Sequence, residues 1–274
     1  MRLAHIFPLL FITTLGACGS GEPSKSQGAA GGPTATATES GPELVSERES
    51  KAWDPAAGVG KAWGFTVFKG DPPKRRKLDM GSDPTCADMQ SDVLTDESVI
   101  IDENGALANV FVYVRKGLEG WDFPVPTESA TISQKGCVYE PHVIGVQVGQ
   151  AVSIVNEDLC THNVHCYAKR NTGFNKTQAA EAPALTKKFE RAEVFVTMKC
   201  DIHGWMNTNI GVVEHSFFGI TSEDGSFDLG ALPPGSYQIA ARHEVYGLQK
   251  KDITITEGVE PEPIEFTFVD GGRS

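Results

Sequence analysis

The chain has 274 residues, a length that allows one or two folded domains beyond any terminal tail. Its composition, with 40% hydrophobic and 22% charged residues, is that of an ordinary globular protein, and its 29 Gly and 16 Pro favour short strands and turns over helices. The formal net charge of −12 argues against a nucleic-acid-binding surface, because such a surface needs a basic stripe to face the phosphates.

Residues 1–17 have the organisation of a secretory signal peptide. Arg2 supplies a positive charge, and residues 6–15 form an apolar segment that is too short to span a bilayer as a helix. The segment ends in LGAC at positions 15–18, which resembles the lipobox of bacterial lipoproteins. That resemblance implies export, lipidation of Cys18 and a location on the periplasmic face of the cell envelope, with the lipid as the only membrane anchor. The alternative is an ordinary signal peptide that is cleaved after a small residue.

The following segment, residues 18–50, is rich in Gly, Ser, Thr, Pro, Ala and Glu and has almost no large apolar residue, so we expect a flexible linker. From residue 51 onward, alternating or continuous apolar runs between turn signals predict short strands. The predicted strands are 62–68, 109–114, 142–148, 151–156, 163–167, 193–199, 208–213, 217–221, 226–229, 236–242, 249–256 and 264–269. One short helix is predicted at 178–184. The fold class expected from this pattern is all-β, with packed β-sandwiches.

The C-terminal block, residues 215–270, contains the turn sequences DGSF at 224–227 and LPPGSY at 232–237. These turns resemble those of the carboxypeptidase regulatory-like, transthyretin-like β-sandwich. The resemblance implies a second, smaller β-sandwich at 215–270. Such a module usually needs an earlier strand, and residues 61–69 fit that role. The intervening domain would then be inserted within the second sandwich.

Three candidate metal ligands lie in the sequence CDIHGWM at positions 200–206. The spacing of Cys200, His203 and Met206 lets one cation collect a thiolate, an imidazole and a thioether from one short loop. With a second histidine, this is the ligand set of a blue-copper electron-transfer site. Upstream, His162 and His165 both offer that histidine. Zinc is the rival metal, but structural zinc sites usually have four Cys or His ligands in paired spacings.

Residues 152–213 resemble the cupredoxin family, and its amicyanin group in particular. The match rests on VSIVN at 152–156 as the strand before the first ligand, HNVH at 162–165, and the ligand loop at 200–206. The resemblance implies a cupredoxin-like Greek-key β-sandwich within 51–214 and one type-1 copper bound by His162, Cys200, His203 and Met206.

Three further residues are predicted to support this site. Asn163 is expected to brace the ligand loop and tune the cysteine sulfur. Trp205 is expected to give an apolar surface beside His203, where an electron partner could approach. His165 lies three residues after His162, on the opposite face of an extended strand, so we place it at the surface or in a supporting position next to the ligands.

The remaining cysteines are predicted to pair. With Cys18 lipidated and Cys200 on the metal, four cysteines allow three pairings, of which we favour Cys86–Cys137 and Cys160–Cys166. The second pair meets a geometric difficulty, because six extended residues span roughly 20 Å whereas a disulfide needs about 4.4–6.8 Å between Cα atoms. Free thiols at positions 160 and 166 are the alternative.

Together these features predict an exported, lipid-anchored mononuclear copper protein that carries single electrons. Its acidic surface would attract a basic face of a redox partner such as a cytochrome or an oxidoreductase. Copper capture or delivery in the periplasm and a structural role in the envelope are the alternatives. The chain has no phosphate-binding loop and no nucleophile-elbow motif, and we expect no enzymatic activity.

Overall fold

The computed structural model describes residues 50–271. The predicted signal peptide, the lipidation site Cys18 and the linker up to residue 49 lie outside the described residues. Within the described range, no helix combines the length and the apolar character that a membrane span requires.

The described residues form eighteen strands, one 3-10 turn at Pro55–Ala57 and one short helix, α1, at Pro84–Asp88. The strands are β1 Lys51–Ala52, β2 Gly60–Lys69, β3 Phe111–Lys116, β4 Trp121–Asp122, β5 Ala130–Lys135, β6 Val138–Glu140, β7 Val143–Gln147, β8 Ala151–Asn156, β9 His162–Tyr167, β10 Phe174–Gln178, β11 Leu185–Lys188, β12 Glu193–Lys199, β13 Asn207–Val213, β14 Phe218–Ile220, β15 Ser226–Leu232, β16 Gly235–His243, β17 Gly247–Ile255 and β18 Ile264–Val269. The all-β prediction is confirmed, and each of the twelve predicted strands overlaps an observed one.

The helix predicted at 178–184 is wrong. Strand β10 ends at Gln178, and a turn follows it. The Gln178 side chain is buried and donates to the backbone carbonyl oxygens of Ile154 at 3.1 Å and Pro183 at 3.2 Å. Pro183 lacks the backbone N–H that a helix interior needs, so the short Ala-rich stretch forms a turn.

The first sandwich is built from β5 to β13. One sheet has the strand order β10-β9-β12-β13-β7, and the other has the order β11-β8-β5-β6. Alternate residues of these strands, such as Ile132, Ile154, Val164 and Val196, are fully buried between the two sheets. This is the cupredoxin-like sandwich that carries the candidate ligands.

The second, smaller sandwich has sheets with the orders β14-β3-β16-β17 and β15-β2-β18. Strand β2 pairs with β15 and β18, and β3 pairs with β14 and β16. The sequence analysis expects residues 61–69, within β2, to open the second sandwich, and it places β3 in the range 51–214 of the copper domain. In the structure both strands belong with the C-terminal strands, so residues 130–213 are inserted between the second and third strands of this sheet pair, with the β1–β4 pair counted as a separate ribbon. Apolar alternation identifies a strand but not its partner, and the domain boundary therefore differs.

Aromatic side chains of the second sandwich pack against the first. Gly145 of β7 and Gly211 of β13 face each other in the ladder, and a Cβ atom on Gly211 would lie 2.4 Å from the ring of Phe111. Glycine at this position gives the ring room to approach the backbone. The contact supports β13, the strand that starts directly after Met206.

Candidate metal centre

The ladder between β9 and β12 brings two distant parts of the chain together. His162 is the first residue of β9, and Cys200 directly follows the last residue of β12. The two strands pair antiparallel, with Lys199 opposite His165. The start of β9 therefore lies next to the end of β12, which brings His162 beside Cys200. Asn163, the residue after His162, bonds the Cys200 sulfur across a sequence separation of 37 residues.

A tight loop between β12 and β13 carries His203 and Met206. The backbone N–H of Met206 donates to the carbonyl oxygen of His203 at 2.9 Å, and the N–H of Cys200 donates to the carbonyl oxygen of Met206 at 3.1 Å. These bonds close the loop on itself. Met206 is 1% exposed and belongs to the same core cluster as Cys200.

Three ligand atoms converge in a buried space. The Nδ1 atoms of His162 and His203 are 3.0 Å apart, and the sulfur of Cys200 lies 3.8 Å from Nδ1 of His203. Ligand atoms of these three residues all lie within 4.8 Å of one another, and the residues are 0%, 2% and 3% exposed for His162, His203 and Cys200. The structure thus brings together the thiolate and both imidazoles of the predicted ligand set.

Two carboxylates fix the tautomer of both histidines. Asp158 accepts from Nε2–H of His162 at 2.8 Å, and Asp83 accepts from Nε2–H of His203 at 3.0 Å. A neutral imidazole that donates from Nε2 carries its lone pair on Nδ1. With both rings neutral, the two Nδ1 lone pairs would meet at 3.0 Å, with the Cys200 sulfur 3.8 Å from Nδ1 of His203. Two nitrogen lone pairs at this distance repel each other unless a proton or a metal ion lies between them. The donor set therefore fits a cation that prefers nitrogen and sulfur ligands, such as copper or zinc.

The surroundings of the cysteine favour its thiolate. Its sulfur accepts backbone N–H bonds from Asn163 and from His203, each at 3.4 Å. Burial raises the pKa of Cys200, but the bonds from His162 and from these backbone groups outweigh burial and lower the pKa below its ordinary value. Burial acts to lower the pKa of His162, because it disfavours the charged ring. The bond to Asp158 and the nearby Cys200 sulfur outweigh burial and raise this pKa to about 9.

Asn163 connects the strand of the first histidine to the ligand loop. Its side-chain oxygen accepts from the backbone N–H of Asp201 at 3.1 Å, and its side-chain amide donates to Asn175. With its own backbone N–H on the Cys200 sulfur, Asn163 holds the loop from two directions. The structure thus places Asn163 where a brace of the ligand loop would lie.

His165 points away from the ligands. Its Nδ1 bonds the carboxylate of Asp201 at 3.0 Å, and its ring stacks on Tyr167 with the centroids 4.0 Å apart. Its side chain is 29% exposed. The offset of three residues along β9 accounts for this placement, because side chains alternate between the two faces of a strand.

The outer edge of His203 is covered. Asp83 and the Cys86–Cys137 disulfide lie against Nε2 of this histidine, with the sulfur of Cys86 at 3.5 Å. Trp205 packs beside the ring at a centroid distance of 5.2 Å and donates its indole N–H to the carbonyl oxygen of Cys137 at 2.8 Å. Trp205, which the sequence predicts to give an apolar surface beside His203, is half-buried next to that ring, while Asp83 and the disulfide cover Nε2.

One of the two predicted disulfides is present. Cys86 and Cys137 are bonded. The Cys160–Cys166 pair is wrong: among the described residues Cys160, Cys166 and Cys200 are free thiols. Cys166 lies within β9 and Cys160 lies two residues before that strand begins, so the intervening chain is extended and holds the two sulfurs apart.

Sequence patterns alone do not identify Asp83 and Asp158 as part of this site. Asp83 precedes Pro84 and caps α1, accepting from the backbone N–H groups of Thr85 at 2.9 Å and Cys86 at 3.3 Å. That Asp-Pro pair is a recognisable helix start, but its position beside His203 depends on the fold. Asp158 sits in the loop before β9, and nothing in its spacing distinguishes it from Glu157.

Comparisons with known proteins give partial structural likenesses. No protein-family model matches the chain, and no curated protein matches it. Among solved structures, a Cu-containing nitrite reductase from Thermus scotoductus SA-01 is 20% identical at a TM-score of 0.30, covering 37% of this chain and 25% of its own, so the likeness spans a quarter of that protein. A reduced mutant of amicyanin is 22% identical at a TM-score of 0.29, covering 32% of this chain and 85% of its own. A purple cupredoxin from Nitrosopumilus maritimus is 21% identical at a TM-score of 0.27, covering 31% of this chain and 99% of its own.

Proposed function

We propose that this chain is an exported, lipid-anchored protein that binds one type-1 copper ion through His162, Cys200, His203 and Met206 and carries single electrons. The observation that supports it most directly is the convergence of two imidazole Nδ1 atoms, 3.0 Å apart, on the buried sulfur of Cys200. Copper bound by this donor set supplies a one-electron redox couple.

The protein's own contribution is a rigid and dry ligand environment. Asp158 and Asp83 hold both imidazole rings by their Nε2–H groups, and backbone N–H groups of Asn163 and His203 hold the sulfur. A ligand set that is fixed by such contacts changes little between oxidation states. Small reorganisation is the property that fast electron transfer requires, and we assign it to this network.

Spectroscopy of the copper-loaded protein tests the proposal. Adding Cu(II) to the purified full chain is expected to produce an intense visible charge-transfer band from the thiolate and a type-1 signal in electron paramagnetic resonance. Cys200→Ser is expected to abolish both, whereas Met206→Gln keeps the site and lowers its potential. Cys166→Ser, which removes a buried thiol that belongs to no candidate ligand group, is the matched control and keeps the band. A visible spectrum that survives Cys200→Ser would reject the ligand assignment.

The acidic chain is proposed to meet a basic face of a cytochrome or an oxidoreductase. Opposite net charges speed the encounter of two proteins, and salt screens this attraction over about 10 Å at 0.1 M ionic strength. Electron exchange with such a partner should therefore slow as salt is added. Rates that do not depend on salt would contradict this part of the proposal.

Periplasmic copper capture or delivery is a second candidate, which the covered edge of His203 favours. A partner that approaches the metal at this edge meets Asp83 and the Cys86–Cys137 disulfide before it reaches the ring, since His203 is only 2% exposed. The two functions differ in their resting metal. A capture protein purified from its native envelope would hold Cu(I), remain colourless and exchange electrons slowly, whereas a carrier would bleach and recover its colour through repeated redox cycles.

A further inference from the structure

Three sulfur atoms from separate parts of the chain meet beside the candidate metal ligands. Cys86 and Cys137 form the disulfide, and the thiol sulfur of Cys160 lies 3.7 Å from the sulfur of Cys137. Two of these sulfurs also touch the ligand histidines: Cys160 is 3.5 Å from Nε2 of His162, and Cys86 is 3.5 Å from Nε2 of His203. A thiol in contact with one sulfur of a disulfide is the starting geometry of thiol–disulfide exchange.

We propose that Cys86, Cys137 and Cys160 form a thiol–disulfide exchange site, in which the disulfide moves from Cys86–Cys137 to Cys137–Cys160. The thiolate of Cys160 attacks the sulfur of Cys137. The Cys137–Cys160 bond forms as the Cys86–Cys137 bond breaks, and Cys86 leaves as a thiolate that takes up the proton given up by Cys160. The number of disulfides is unchanged, so the step needs neither an oxidant nor a reductant.

The new disulfide needs little movement of the backbone, because Asp158 already joins the two segments that it would link. One carboxylate oxygen of Asp158 accepts from the N–H of Gly136 at 2.6 Å, and the other accepts from the N–H of Cys137 at 2.8 Å. Asp158 itself lies two residues before Cys160 and is 5% exposed. The turn that carries Cys137 and the loop that carries Cys160 are thus held together whichever disulfide is present.

The segment that the exchange releases is weakly held without its disulfide. Helix α1 has five residues, of which Cys86 is the buried one. Its other link to the ligand loop is the bond from His203 to Asp83, whose side chain is 29% exposed. Breaking the Cys86–Cys137 bond therefore loosens the element that covers the outer edge of His203, which then keeps the Asp83 bond and the bond from the Gln90 amide to the carbonyl oxygen of Gly136. The exchange itself involves no metal, but its meaning for access to a metal ligand rests on the proposed function.

Trapping by alkylation tests the exchange on the full chain with chelator present and no metal added. A thiol-alkylating reagent captures each molecule in one of two forms: label on Cys160 with the Cys86–Cys137 disulfide intact, or label on Cys86 with a Cys137–Cys160 disulfide. Digestion at acid pH prevents later exchange, and mass spectrometry of the linked peptides counts the two forms. We expect both linked peptides in the wild-type protein.

Three variants separate exchange from simple exposure of Cys86. Cys160→Ser is expected to reduce the label on Cys86 at least tenfold, because no internal thiolate then attacks the disulfide. Cys166→Ser also removes one free thiol and should leave the Cys86 label unchanged within twofold. In Cys86→Ser, a glutathione redox buffer is expected to form the Cys137–Cys160 disulfide, which tests the product bond even if Cys160→Ser fails to fold.

Hydrogen exchange measures whether the segment that covers His203 becomes more mobile when the disulfide moves. Deuterium uptake of residues 83–90 should be faster in the molecules labelled on Cys86 than in those labelled on Cys160. The inference is overturned if the wild-type protein yields Cys86–Cys137 peptides alone and Cys86→Ser leaves Cys137 and Cys160 reduced. That result would not touch the copper proposal, whose test is the spectrum of the Cu(II)-loaded protein.

Discussion

Replacing Asp158 tests whether one buried carboxylate organises the candidate site. Its side chain is 3% exposed. It accepts three hydrogen bonds, from the backbone N–H of Gly136 at 2.6 Å, the N–H of Cys137 at 2.8 Å and Nε2–H of His162 at 2.8 Å. Asp158→Ala leaves all three donors without their acceptor in a site that water reaches poorly.

The size of the effect follows from these three bonds. Removing one partner of a buried charged pair typically costs about 3–5 kcal/mol, because the other groups stay buried and unpaired. We expect Asp158→Ala to lower the free energy of unfolding by about that amount. Asp158→Asn keeps one oxygen and turns an NH2 group toward a backbone N–H, so we expect a loss of about 1–3 kcal/mol. Removing the carboxylate behind His162 should also weaken copper binding by about 10–100-fold.

Urea denaturation of the metal-free protein at neutral pH measures the first effect, and competition with a chelator measures the second. Glu157→Ala is the matched control, since the neighbouring carboxylate is 45% exposed and bonds the Ser133 hydroxyl at 2.8 Å. It should change stability by no more than about 0.5 kcal/mol. An Asp158→Ala protein that unfolds within about 1 kcal/mol of the wild type would show that Asp158 does not hold the site together.

Three further predictions concern other buried or linking groups. Asp83→Asn is expected to speed deuterium uptake by helix α1, because Asp83 both caps this helix and accepts from His203. Burial lowers the pKa of His215 to about 4, below its ordinary 6.5, although the bond from Nε2 to the carbonyl oxygen of Val114 acts to raise it. A depressed pKa gives stability that is present above pH 6.5 and lost as the pH falls toward 4, so acid titration of the unfolding free energy should show a loss of about 3 kcal/mol over this window. Glu193→Gln should lower stability by about 1.5–3 kcal/mol, since its carboxylate accepts the backbone N–H groups of residues 169–171.

Each of these predictions has a result that would contradict it. Unchanged deuterium uptake in Asp83→Asn would mean that α1 is held by its disulfide alone. A pH titration as steep in His215→Gln as in the wild type would assign the acid loss to other groups. For Glu193→Gln, protection of the 169–171 amides equal to that of the wild type would show that the loop does not depend on the carboxylate.

Most of the strands that the sequence predicted have at least one buried face. Strand β2 alternates buried and exposed residues along its whole length, and such a pattern is visible without coordinates. The edge strands β10 and β11 were missed because they carry almost no apolar signal: FNKTQ and LTKK are largely polar and exposed. An edge strand is defined by hydrogen bonds to its neighbour, and its own residues need not be hydrophobic.

The ligand loop could be predicted from the sequence because its three candidate ligands are close together in the chain. A spacing of three residues between Cys200, His203 and Met206 has few physical explanations other than a shared cation. His162 was predicted as a ligand from the HNVH motif. The antiparallel pairing of β9 with β12 is what brings His162 close to Cys200.

By itself the sequence determined most of the segments that form strands and which residues could bind a metal, because periodicity and ligand spacing are local properties. Only the tertiary structure decided what surrounds those ligands. Asp83 and Cys86 come from a segment that precedes β3, Cys137 from the turn between β5 and β6, and Asp158 and Cys160 from the loop before β9. Their meeting depends on strand pairing between distant parts of the chain, and no short-range pattern encodes it.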